Sequence, residues 1–214
     1  FFDLGNTLID ETRAHGQRNA RLSQILSQER NDVSVADIEL AMRQSSEEFA
    51  PRLIVRALEI LAGRAFPYEN LLKQVGYDKS YERPYCGVDT LLRIISQKYM
   101  IGIIANQSAG TAERIKSYGL SSFISLCLSS AEEGLSKPDP AMFELALTRA
   151  GCSPEDAVMV GDRIDNDIAP ARRAGWRTVR VLQGYGQYQK PRTQEETADY
   201  TVQSVNFVEK ILIE

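Results

Sequence analysis

The chain has 214 residues, with 25 Lys+Arg against 29 Asp+Glu, a formal net charge of −4 and a pI near 5.3. This acidic balance, without a basic stripe, argues against nucleic acid or an anionic membrane as a partner. No apolar run approaches the ~20 residues of a membrane span. Cys86, Cys127 and Cys152 stand singly among apolar neighbours, in neither a metal spacing nor a disulfide framework, so a reduced cytoplasm is the expected setting. The length suits one large domain or a domain with an insert.

Taken in order, FFDL reads as the end of a short apolar strand. It opens in mid-strand without Met, and a few residues are expected before Phe1. The roughly seventy residues after FFDL contain no convincing strand and read as helices. Leu22, Ile25 and Leu26 mark one apolar face; Ser34 caps a second helix, SVADIELAM, with Ile38, Ala41 and Met42 inward. Pro51 suits the first turn of a third, RLIVRALEILAG, with Gly63 as its stop, and AFPYENLLKQVGY makes a fourth. Arg52, Arg56 and Glu59 line the wet face of the third.

From residue 84 the pattern alternates. VDTLLRIISQ is a helix, MIGIIAN a buried strand, GTAERIKSYG a helix and FISLCLSS a strand. PAMFELALTRAG is a helix with Pro140 at its start, DAVMVGD a strand, DIAPARRAG a helix, WRTVRVL and ADYTVQ strands, and VNFVEKIL a last helix. Strands joined by helices of this length pair in parallel through right-handed crossovers. The expected fold is a doubly wound α/β sheet built from residues 1–11 and 84–214, with residues 12–83 as a helical insert.

In such sheets ligands bind at the carboxyl ends of the strands. Those ends carry Asp3, Asn106-Gln107-Ser108, the loop with Lys137, and Gly161-Asp162, with Asp165 and Asp167 close behind. Carboxylates converging on one crevice repel one another unless a cation sits between them. Hard oxygen ligands suit Mg²⁺, and the lack of His and Cys ligands excludes most zinc designs. A lysine beside them neutralises remaining charge and holds a phosphate oxygen. The turn NQSAG, before GTAERIKSYG, offers helix-start N–H groups to an anion.

DLGNTL, IIANQ, KPDPAMF and VGDRIDND, in that order and each on a strand end, resemble the haloacid dehalogenase superfamily over almost the whole chain. The helical insert is similar to the cap of the subfamily that acts mainly on small phosphorylated molecules. The resemblance implies a phosphohydrolase working through an aspartyl phosphate; the expected partner is a small phosphorylated molecule, and the expected assembly a monomer or homodimer. Asp3 would be the nucleophile, and Mg²⁺ would be held by Asp3, Asp162 and the carbonyl of Gly5. Lys137 would pair with Asp3 and phosphate, and Asn6, Asn106 and Gln107 would help bind phosphate. Asp167 and Asp165 would orient metal-bound water and Lys137 from behind. Cap closure is expected, with hinges near residues 10–14 and 82–87. Asp10 and Glu11 would cap or hinge the insert.

Two positions depart from the family pattern. Gly5 stands where the phosphatases carry the general acid/base Asp, a group that contributes about 10²–10⁴-fold. Ala105 stands where Ser or Thr binds the phosphoryl group, a loss on the order of 10²-fold. His15, the single histidine, is a candidate replacement acid/base, with an unperturbed pKa near 6.5. Three functions compete: a Mg²⁺-dependent phosphatase, a metal-independent 2-haloacid dehalogenase, and a degenerate hydrolase fold kept for binding. Gly5 suits the second and third; Asp162 suits the first, since an extra anion makes sense with a cation.

Overall fold

The computed structural model describes residues 1–30, 33–63 and 68–213. The chain divides into two compact units, one of Phe1–Asp10 with Arg83–Glu214 and one of Glu11–Glu82.

The first unit is built on a parallel sheet. Strand Gly102–Ala105 pairs with Leu126–Ser129, and Val158–Gly161 pairs with Arg177–Val181, which in turn pairs with Tyr200–Val202, all in parallel. Phe2 joins the two halves through parallel bridges to Ile103 and Val160, so the opening segment lies at the centre of the sheet. Neighbouring residues on a strand point to opposite faces, and the apolar layers follow that rule. Ile103 and Val160 pack with Leu92, Ile95 and Val208 on one side; Ile104 and Met159 pack with Met142, Phe143 and Trp176 on the other. Helices Val88–Ile95 and Val208–Ile213 supply the first layer, and Pro140–Ala150 contributes to the second. Each fully buried side chain of this kind contributes about 1.5–3 kcal/mol. Both faces are therefore covered, as a doubly wound sheet requires.

The second unit is helical: Thr12–Arg30, Val35–Glu47, Leu53–Ala62 and Tyr68–Val75, closed by a short turn at Lys79–Tyr81. Ser34 accepts the N–H of Asp37 while the Asp37 carboxylate accepts the N–H of Ser34, a reciprocal cap worth about 1 kcal/mol. Leu22, Leu26, Ile38, Met42 and Leu58 are buried, and Ile25 is half-buried. Of the fourth expected helix, Ala65, Phe66 and Pro67 lie outside the described residues.

Two expectations need correction. Pro51 does not open the third helix; Arg52 is its N-cap and Pro51 precedes it. The stretch after the first strand also contains extended chain, because Ile9–Asp10 pairs antiparallel with Arg83–Pro84. Two-residue strands are too short to show a period in sequence. Among the described residues no helix is long and apolar enough to cross a membrane.

Candidate active site

The sheet's register places the polar residues. Phe2 bridges Ile103 and Val160, and the Asp3 N–H donates to the carbonyl of Val160 at 2.9 Å. Asp3 therefore emerges at the same edge as Ala105 and Gly161, with Asp162 one residue further on.

Lys137 reaches this edge from a different loop. Its Nζ lies 2.6 Å from Asp3 Oδ1 and 2.6 Å from Asp167 Oδ1, and its side chain is only 2% exposed. Burial alone lowers the pKa of this ammonium, but the Asp167 and Asp3 carboxylates outweigh it and hold the group charged. The lysine backbone is held by Asn106, which donates Nδ2–H to the Lys137 carbonyl at 2.7 Å and accepts the Lys137 N–H at 2.8 Å. In the same loop Asp139 caps helix Pro140–Ala150 by accepting the N–H of Ala141. KPDP thus combines a charge with a helix start.

Asp162 follows the strand Val158–Gly161, and Asp167 lies on the single π-helical turn Ile164–Ile168 behind it. Such turns occur often at functional sites. Asp167 accepts the N–H of Arg163 at 3.0 Å as well as the Lys137 ammonium. Gly161 makes the approach possible, since a Cβ there would lie 2.4 Å from Asp167 Oδ2. Asp3, Asp162 and Asp167 each offer one oxygen within 4.8 Å of the others. Burial, then the Asp167 and Asp3 charges, push the Asp162 carboxyl well above the usual range; burial and Asp3 push Asp167 up to about 6 against the pull of Lys137.

These features test the fit of a cation. With all three carboxylates ionised and Lys137 charged, the cluster carries a formal charge of −3 + 1 = −2, which one divalent ion cancels. The donors are all oxygen, the set for a hard ion such as Mg²⁺. The residues fit the ion.

The other expected residues distribute unevenly. Asp165 does not turn to Lys137; Arg163 grips it at 3.0 and 2.5 Å and Gln189 Nε2 donates to it at 2.8 Å. The start of helix Thr111–Ser117 is held by the chain's own Glu132, which accepts the Gly110 N–H at 3.1 Å and the Ser129 hydroxyl at 2.6 Å. Gln107 accepts from Arg114 Nη2 at 3.0 Å. The local sequence near NQSAG shows none of this, because Glu132 comes from the next crossover. Ala105 is fully buried and brings no hydroxyl. Gly5 forms a bridge with Ile9, and Asn6 adopts φ 54°. In the helical unit His15 Nε2 lies 3.6 Å from Glu11 Oε2, with its ring beside Tyr77. Cys86, Cys127 and Cys152 are free, and burial raises the Cys127 thiol to about 11.

Apart from paired glycines, residues 183–189 carry no local pattern that marks them as part of the site, yet the fold brings them to it. Gln183 donates to the carbonyls of Asn6 and Thr7 at 3.2 and 3.4 Å, and Gln189 accepts the N–H of Ile164 at 2.6 Å. The paired glycines of QGYGQ were the one signal available.

A parallel sheet covered on both faces, with a helical insert after its first strand and an acid–lysine cluster at its carboxyl edge, defines a class of hydrolase folds. The chain matches the family of haloacid dehalogenase-like hydrolases over residues 1–175, and it belongs to that family. Among its relatives, a glyceraldehyde 3-phosphate phosphatase of Methanopyrus kandleri is 29% identical over 94% of this chain and 91% of its own. One of the same name from Pyrococcus furiosus is 30% identical over 94% of this chain and 87% of its own. The fold is shared with the solved 2-haloacid dehalogenase of Pseudomonas syringae, at TM-score 0.60 and 25% identity, covering 99% of this chain and 96% of that one.

Proposed function

We propose that this protein is a Mg²⁺-dependent hydrolase of small phosphate monoesters that works through an aspartyl phosphate on Asp3. The observation that carries the reading is the Lys137 ammonium bonded to both Asp3 and Asp167 at 2.6 Å, with Asp162 alongside in the same oxygen cluster. A site that crowds three carboxylates around one ammonium has a use for a cation, and phosphate chemistry has a use for both.

Asp3, Asp162 and the Gly5 carbonyl would hold Mg²⁺, whose charge, when bound, offsets the repulsion between the Asp3 carboxylate and an incoming phosphate. Asp3 is the more accessible member of its ion pair, with a side chain 13% exposed. Its carboxylate oxygen forms the new bond to phosphorus as the ester P–O bond breaks, and the departing alkoxide takes a proton from solvent water. Lys137 holds Asp3 in place and balances the charge that gathers on the phosphoryl oxygens. Asp167 keeps the ammonium aimed. Water then attacks the acyl phosphate, releasing inorganic phosphate and restoring the Asp3 carboxylate. Gly5 supplies no proton to the leaving oxygen, so esters of acidic alcohols and phenols turn over fastest.

The names of the relatives make glyceraldehyde 3-phosphate the first compound to assay. The metal-independent dehalogenase reading fits less well, because a haloacid brings its own carboxylate to a cluster already rich in them. The deciding experiment is a panel of phosphorylated metabolites, with phosphate release measured with Mg²⁺ and with a chelator. Release that needs Mg²⁺ and vanishes in Asp3→Asn is expected. Chloride release from 2-chloropropionate in the presence of chelator overturns the reading.

A further inference from the structure

We propose that residues 183–189 form a brace that fixes the spacing between the two metal-bearing loops, and so makes the site selective for a small divalent ion. This inference rests on the metal reading given above.

The segment is tied at its start to the loop after Asp3 and at its end to the loop after Asp162. Gln183, 8% exposed, donates to the carbonyls of Asn6 and Thr7 at 3.2 and 3.4 Å. Gln189, 1% exposed, accepts the Ile164 N–H at 2.6 Å and donates to Asp165 at 2.8 Å. Between these anchors two glycines meet the two loops in turn. A Cβ on Gly184 would lie 2.4 Å from Asn6 Cγ, and one on Gly186 would lie 2.3 Å from Asp162 Oδ2. Gly184 also sits at φ +52°, which disfavours side chains independently.

Arg180 completes the tie. It is 4% exposed, and its Nη2 donates to the carbonyls of Gly186 and Gln189 at 2.8 and 2.7 Å, while Nε approaches the Asp162 carbonyl at 3.5 Å. A buried guanidinium spent on main-chain carbonyls is a fastening: it joins the brace to the backbone that carries Asp162. Selectivity between Mg²⁺ and Ca²⁺ depends on the size and flexibility of the ligand cage. A clamp that holds Asp162 at a set distance from the Gly5–Asn6 turn therefore favours the smaller ion. Arg180, Gln183 and Gln189 are positioning residues; none is assigned contact with substrate.

The test is calorimetric titration of Mg²⁺ and of Ca²⁺ into wild type, Gly186→Ala, Gln189→Ala and Gln183→Ala, with thermal unfolding in chelator as the check on folding. The expected result is a fall of tenfold or more in the ratio of Mg²⁺ to Ca²⁺ affinity in each folded variant, carried mainly by weaker Mg²⁺ binding, consistent with the 10–100-fold typical of groups behind metal ligands. Gly186→Ala is the variant at risk of misfolding; the two glutamine truncations keep the test decisive. An unchanged ratio in folded variants, or equal weakening for both ions, overturns the brace while leaving the hydrolase reading intact. No Mg²⁺ binding by wild type overturns both.

Discussion

Replacing Asp162 with Asn removes one negative charge from the cluster at nearly constant shape. Asp162 is 4% exposed, and its oxygen shares a 4.8 Å cluster with those of Asp3 and Asp167. At an effective dielectric of about 20, two unit charges at such a separation repel by about 3.5 kcal/mol. Lys137 gives its two short bonds to the other carboxylates, so it offsets only part of this repulsion for Asp162. The metal-free variant is therefore expected to be more stable than wild type by about 1–3 kcal/mol at pH 7.5, or roughly 3–10 °C in Tm for a chain of this size. The pH dependence has a definite sign. A carboxyl whose pKa is raised on folding binds more protons in the native state, so stability falls as pH rises from the unfolded value through the folded one. Asp167, raised to about 6, places that fall between about pH 4 and 6, and Asp162 extends it upward. The gap between variant and wild type should close toward pH 4. Mg²⁺ should reverse the order by stabilising wild type, by about 4.1 kcal/mol at a thousand times its Kd, and leaving the variant unmoved. Thermal unfolding with chelator and with Mg²⁺ across pH 4–8 reads all of this. A variant less stable than wild type in chelator, or equally stabilised by Mg²⁺, refutes the reasoning.

Lys137→Met leaves the acidic cluster without its buried ammonium; the metal-free protein should lose about 3–5 kcal/mol in denaturant unfolding and phosphate release should cease. A loss below 1 kcal/mol would contradict the ion-pair geometry. Gly5→Asp restores a proton donor beside Asp3, and kcat on alkyl phosphates should rise about 10²–10⁴-fold, with a much smaller gain on p-nitrophenyl phosphate. An equal gain on both substrates argues against proton transfer.

Much of the fold could be read directly. Ile103 and Ile104 sit in one apolar run, and burial on both faces is what a central parallel strand demands. Ser34 with Asp37, Pro140 and Gly63 mark helix ends through local hydrogen bonding and backbone geometry. Asp3 and Asp162 were legible because charge directly after a buried strand is costly without a partner; Lys137 and Asp167 were legible through KPDPAMF and VGDRIDND. The limits are equally physical. The orientation of Asp165 depends on Gln189, and the carboxylate at the start of helix Thr111–Ser117 comes from Glu132. Neither partner is near in sequence, so no local pattern announces it. The pairing of Ile9 with Pro84 is hidden for the same reason, across the whole helical insert.

The sequence alone determined the order of the parallel strands and their crossover helices, the insert, and which residues stand at those strand ends, because periodicity and capping are short-range properties. Only the tertiary structure decided which charges meet: Lys137 finds Asp3 across 134 positions and Asp167 across 30. It also decided that residues 183–189 bind both the loop after Asp3 and the loop after Asp162. Such pairings arise from parallel register and loop closure, which bring distant segments to one edge of the sheet, and electrostatics then selects among the groups delivered there.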